Sequence, residues 1–284
     1  MAVVAARAQS QRTERLPGGA LIGLGVLGAL LLVAILGRSA APYDPEQVSE
    51  AVYQPPSRMH LFGTNDLGQD VFSEVVAGAR LSLFVGVSVA VLSTALAWGV
   101  GVVSGFAPRG DLLIAMSDLL LAIPALPLLV LLVAYVGSGT LRVVVAMGVL
   151  SWPAFARVVR TQVLSTKERE YVVAAQAAGA GSLRVMLRHI LPETVPIIVT
   201  KFVLTTRWAI LIEANLAFLG LGDPGRVSWG NMLNHAFRDP LLFARPAWLW
   251  LAAPPAMAIV VVVLSLALVA QLTERRERRV LPED

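Results

Sequence analysis

Few residues in this chain could do chemistry, and their spacing limits what that chemistry is. The three histidines, His60, His189 and His235, lie far apart, and the absence of cysteine excludes disulfides, thiolate catalysis and cysteine metal ligands. No stretch fits GxxxxGK(S/T), HExxH or GxSxG, so no phosphate-cradling loop, zinc-protease helix or nucleophile elbow is expected. The candidate catalytic and metal sets are therefore empty. Asn65, Asp66 and Asp70 supply oxygen donors for a cation but lack the ligand spacing of a metal loop. Thr64, Asn65 and Asp66 read more simply as an Asx-rich turn that caps an amphipathic helix leading into the next apolar run.

The ionisable residues that stand out are Asp118, Arg207 and Glu213, all inside long apolar runs. A charge at mid-bilayer costs about 2.5–3.5 kcal/mol, so each must face protein or water rather than lipid. One reading is a buried ion pair between Asp118 and Arg207 that ties two spans together, and the other is a lining of a translocation path. Arg207 and Glu213 are six residues apart, about 240° around a helix, and so are not an ideal same-face pair. Lys201 is expected to snorkel to the inner interface.

The elements that must hold these residues are membrane helices. Across 284 residues, 56% are hydrophobic and 15% charged, with a mean hydropathy of +0.71, which excludes an ordinary soluble domain. The net charge of +4 sits at the ends of apolar runs and in a tail, a pattern of topology and anionic lipid rather than nucleic acid. The expected fold is all-α and polytopic. A basic arm at 1–19 (Arg7, Arg12, Arg15) precedes a first transmembrane helix at 20–37 and an extracytoplasmic loop at 38–80. Ser39, Ala40 and Ala41 admit a cleavable signal peptide, but the run is longer than an ordinary h-region, and an uncleaved anchor is expected. A core at 81–271 follows, with five spans at Leu81 to Phe106, Leu112 to Val136, Leu141 to Phe155, Pro196 to Leu221 and Trp248 to Gln271, and a tail at 272–284. Pro124 and Pro127 should bend the third span. Fourteen basic residues fall on the inner segments of this six-span map against seven outside, so both termini are expected in the cytoplasm.

Between the fourth and fifth spans, in a connection at 161–195, lies a polar and small-residue island, EYVVAAQAAGAGSLRVMLRHILP, from Glu170 to Pro192. Tyr171 through Ala178 has no helix breaker, and Gly179 with Gly181 can take positive φ and end the helix. Ser182 is a plausible N-cap for a second helix in which Leu183, Met186, Leu187 and Ile190 recur on one face while Arg184 and Arg188 occupy another. Pro192 is expected to close it. The outcome is a helix, turn, helix with a small-residue surface that a groove on another protein could accept.

This stretch resembles the EAA loop of inner-membrane permease subunits of binding-protein-dependent ABC importers, through Ala174, Ala175, Gly179 and the trailing Ile190, Leu191, Pro192. Val173 stands where the motif has its glutamate, with Glu170 three residues upstream. HLFGTNDLGQDVFSEVVAGARLSL and EANLAFLGLG with SWGNML are similar to segments of the dipeptide, oligopeptide and nickel branch. The resemblance implies a transport subunit rather than an enzyme, with Glu170, Ala174, Ala175, Gly179, Ser182, Arg184 and Arg188 coupling it to ATPases. It implies no cofactor in this chain, with ATP and Mg held by two partner ATP-binding subunits. It further implies a second homologous permease, an extracytoplasmic substrate-binding protein and the inner membrane of a prokaryote, with peptides as substrate. Nickel or a metal chelate is the alternative within the branch. From other classes stand a proton-coupled secondary transporter using Asp118, Arg207 and Glu213, and an intramembrane enzyme, which lacks a credible nucleophile and base.

Overall fold

The computed structural model describes residues 18–280, so most of the basic arm, with Arg7, Arg12 and Arg15, lies outside the described residues. Helix α1 (Gly18–Ala40) is followed by an irregular loop at 41–70, then by α2 (Val71–Phe106), α3 (Gly110–Leu121) and α4 (Ala125–Val136). Next come α5 (Thr140–Ser151), α6 (Pro153–Lys167) and the short α7 (Glu170–Ala177). A helical turn, α8 (Ser182–Val185), passes through a π-helical turn at Met186–Ile190 into α9 (Leu191–Phe218). Two short helices, α10 (Trp229–Arg238) and α11 (Trp248–Leu251), lead to α12 (Ala253–Val280). Four stretches are long and apolar enough to cross a membrane, and the bent pairs α3 with α4 and α5 with α6 bring the number to six if each is one span.

Helix α2 is the central post, packed most extensively on α9 and α6. Its 36 residues begin ten earlier than expected, because the amphipathic stretch after the Asx turn and the apolar run form one continuous helix. Asp70 caps it: Oδ2 accepts from the Ser73 amide at 2.8 Å and the Ser73 hydroxyl at 2.7 Å, satisfying a first-turn donor. Close approach to α9 depends on Gly86, where an added methyl would lie 2.6 Å from Ile210 Cγ1.

The third apolar run does not merely bend. Residues 122–124 break it into α3 and α4 at 82°, with Pro124 immediately before α4 and Pro127 in its first turn, where a missing amide costs no hydrogen bond. The fourth run does not stop at Phe155. It continues through a 43° bend at Trp152 and Pro153 to Lys167. Nor does Pro192 close a helix. The chain is helical from Ser182 to Phe218, and the wide turn Met186–Ile190 lies just before Pro192, where a proline ring conflicts with regular α-helix. Three apolar clusters fill the interior. The third joins Val102 of α2, Val159 and Val163 of α6, Val172 of α7, Val185 of α8 and Ile190 of the π turn, and it founds the surface described next.

Candidate functional site

The segment from Glu170 to Arg188 forms an elbow at the end of the helices opposite the 41–70 loop and α10, since α2 starts beside that loop and ends at Phe106, beside α6. Helix α7 stops because Gly179 takes φ +88°, a region open to glycine, and the Ala180 amide then returns to the Ala175 carbonyl at 3.0 Å. Gly181 keeps a negative φ and occupies the cap position before α8, so Ser182 is the first helical residue and makes no capping bond. The single left-handed residue already reverses the chain, which leaves Ser182 inside the helix.

Val172, Val185 and Ile190 are fully buried in the third cluster and bolt the elbow to α2 and α6. Arg169 pairs with Glu193 at 3.7 Å, tying the start of α7 to the start of α9, and Lys167 donates to the Gly105 carbonyl at 3.3 Å. The other side of the elbow is open. Glu170, Ala174, Gly179, Ser182, Arg184 and Arg188 are exposed, and Ala175 is half-buried. Leu183 and Leu187, expected on one face with Met186 and Ile190, are 63% and 54% exposed. They flank Arg184 and Arg188 in an open groove that Gly179 and Gly181 also line. The packed stripe is instead Val185, Met186 and Ile190, because the π turn rotates the register between Leu183 and Ile190. Two leucines and two arginines over a glycine turn, on a rigid base, suit a partner groove with apolar and acidic lining.

The intramembrane charges are placed otherwise than as a set. Asp118 forms its ion pair with Arg157, and Asp111 pairs with Arg160, so α3 is laced to α6 by two bonds. Arg207 is too distant in depth. Gly86 meets Ile210 and the Thr206 carbonyl, whereas Gly101 meets Ala156 and Val159, near Arg157. Fifteen residues of α2 separate those glycines, roughly 22 Å along the helix. The Asp118–Arg207 pairing is therefore replaced by Asp118–Arg157. Arg207 is half-buried and has no hydrogen bond or ion pair among the described residues. Glu213 is buried between α2 and α9, accepting from the hydroxyl of Ser82 at 3.2 Å. It joins α9 to α2.

Lys201 does not snorkel. It is 7% exposed, and its Nζ donates to the Ser151 carbonyl at 3.1 Å and lies 4.6 Å from the Phe155 ring centroid. The Phe155 amide that would serve Ser151 in a regular helix is turned to the Trp152 carbonyl, so Lys201 supplies the missing donor at the α5–α6 bend.

Several residues at the opposite end escape sequence reasoning. Trp229 is buried and its indole donates to the Val75 carbonyl at 2.9 Å. Asp223 receives the Thr140 amide (3.2 Å) and hydroxyl (2.9 Å) and so caps α5 from another segment. Partial burial works against its charge, but the Thr140 and Gly225 donors and Arg226 hold its carboxyl below the ordinary range. Ser228 before Trp229, an N-cap ahead of an amphipathic helix, is the sequence signal that could have found the first. Asn65 and Asp70 are held by internal bonds: Asn65 turns back on Leu67 and Gln69, and Asp70 takes His60 Nδ1 at 3.0 Å.

Residues 86–279 match the family described as binding-protein-dependent transport system inner membrane component, and residues 18–56 match the N-terminal TM domain of oligopeptide transport permease C. A protein named as a peptide permease of Brucella suis biovar 1 is 40% identical over 87% of this chain and 82% of its own length. The di/tripeptide transport system permease protein DppC of Pseudomonas aeruginosa is 38% identical, covering 88% and 84%. The glutathione transport system permease protein GsiD of Escherichia coli is 37% identical, covering 83% and 78%. With two thirds of its length in one match and relatives aligned nearly end to end, the chain belongs to the family of inner membrane components of binding-protein-dependent transport systems.

Proposed function

We propose that this chain is one of two homologous permease subunits that form the pathway of an ATP-driven peptide importer, with both termini in the cytoplasm. Two ATPase subunits holding ATP and Mg would seat the elbow in their grooves, and an extracytoplasmic binding protein would deliver peptide to the end carrying the 41–70 loop and α10. Closure of the ATPases would then push the elbow, and α9, continuous with it, would carry the displacement to the outer end. The peptide reading rests on the names of the relatives. The docking reading rests on one observation: Leu183, Arg184, Leu187 and Arg188 stand open on a foundation of buried Val172, Val185 and Ile190. Asp118, Arg207 and Glu213 do not touch one another, which speaks against a proton relay.

The experiment is to place Leu187→Glu and Gly179→Trp in the assembled transporter. The expected result is normal membrane insertion, with ATP hydrolysis that no longer drives uptake. Full uptake by Leu187→Glu, whose site carries no backbone strain, would remove the docking role.

A further inference from the structure

Arg207 sits on α9 at the level of Gly86, seven residues, or about 10 Å, inward of Ala214, where α10 crosses α9 at Gly230. That depth is inside the hydrocarbon zone of a bilayer about 30 Å thick. Arg207 is half-buried and unpartnered among the described residues, and the nearest acid along its own helix, Glu213, is engaged by the Ser82 hydroxyl. Leu211, Asn215 and Phe218 are all exposed and fall with Arg207 within about 80° around the helix. The face that bears this charge thus runs outward through a primary amide toward the end where α10 lies. Lipid contact along it would strand five guanidinium donors and an amide in hydrocarbon.

We propose that this face of α9 lines the translocation pathway and that Arg207 is a subsite for the free carboxylate of the transported peptide. A guanidinium presents two parallel donors to a carboxylate, the one charged group that every peptide with a free C-terminus carries. The same residue rides on the helix that continues without interruption from the elbow turn at Met186–Ile190. Motion imposed at the elbow therefore alters the position of the subsite, which couples ATPase closure to release of the bound carboxylate. The assignment rests on the peptide-importer reading above.

The chain contains no cysteine, which makes Arg207→Cys a unique thiol within this subunit. The complete transporter, with partner permease, ATPases and binding protein, is reconstituted in liposomes, and uptake of one peptide is compared with that of its C-terminal amide. The ratio of variant to parent is taken for each form, so the preference of the binding protein cancels. Arg207→Gln and Arg207→Cys are expected to lower uptake of the free acid about tenfold, the scale of one lost charged contact, while the amide changes by less than about twofold. Arg207→Lys should retain most transport. On Arg207→Cys, the cationic reagent aminoethyl methanethiosulfonate should restore uptake of the free acid and its anionic sulfonatoethyl counterpart should not. Equal loss for both peptide forms, or a thiol that neither reagent reaches, overturns the subsite. Loss of the partner permease from the purified variant also overturns it, since the cation then belongs to the contact between subunits. A parent that moves neither form sinks the peptide reading, a failure visible before any variant is compared, and the carboxylate assignment falls with it.

Discussion

At the scale of single residues, buried polar groups here serve to close backbone valences that bends leave open. Lys201 is the clearest case: the Phe155 amide, turned to Trp152, leaves the Ser151 carbonyl without a helical donor, and the ammonium fills the gap from a neighbouring helix. Lys201→Met keeps the bulk and removes the donor, and should destabilise the subunit by about 1 kcal/mol, within the range for one hydrogen bond. Unfolding of the purified protein in mixed micelles reads this, and an unchanged midpoint would assign Lys201 to packing alone. Asp223 does the same work for α5 at the other end, and there the effect depends on pH. Its carboxyl titrates below the ordinary range in the folded protein, so its contribution is complete above that range and vanishes only as the medium acidifies through the lowered value. Asp223→Asn should therefore cost stability at neutral pH, by at most about 1 kcal/mol for so accessible a group. Parent and variant should converge as the pH drops toward that value, and a difference that persists there would show that charge is not the cause.

At the scale of elements, the sequence announced the helices far better than their ends. Apolar runs are long enough to be unmistakable, and the small-residue island between the fourth and fifth was visible because its alanines, glycines and arginines interrupt them. What was not legible was continuity. Pro192 and Ser182 have strong local preferences, as terminator and as N-cap, yet a π turn lets the first sit inside a helix, and a glycine one residue earlier takes the cap from the second. The same turn parted Leu183 and Leu187 from Met186 and Ile190, with which they were expected to share a face, a change of register that a fixed helical period cannot anticipate. The partner of Asp118 was missed for a different reason: sequence shows which residues carry charge but not the depth at which each helix holds it. Contacts between elements were equally hidden, and Gly86 offers a test. Gly86→Ala puts a methyl against Ile210 and should cost about 1–3 kcal/mol by overpacking. Adding Ile210→Val or Ile210→Ala should recover part of that loss if α2 and α9 meet there, and purely additive losses in the double variants would contradict the contact.

At the scale of the whole molecule, the arrangement is a lever with two differently built ends. One end is irregular and hydrogen-bonded, where Trp229, Asp223 and Glu213 knit α2, α5, α9 and α10 into one layer. The other is a short elbow fixed by three buried aliphatic side chains and otherwise open. The helical stretch from Ser182 to Phe218 joins them without a break, so a displacement at Arg184 and Arg188 has a continuous path to Asn215 and Phe218. Such a lever works as an importer only if its ends face opposite compartments, with the elbow in the cytoplasm. The chain's lack of cysteine permits a direct measurement. Leu183→Cys at the elbow and Glu46→Cys in the loop are both exposed positions away from the buried layers. A membrane-impermeant maleimide should label Glu46→Cys in intact cells and leave Leu183→Cys untouched, and inverted vesicles should reverse the pattern. In the assembled transporter, Leu183→Cys should further lose reactivity about tenfold relative to the isolated subunit, because a partner groove excludes the reagent. Labelling of both positions from one side would place the elbow where no ATPase can reach it, and undiminished reactivity in the full complex would leave the lever with nothing to push it.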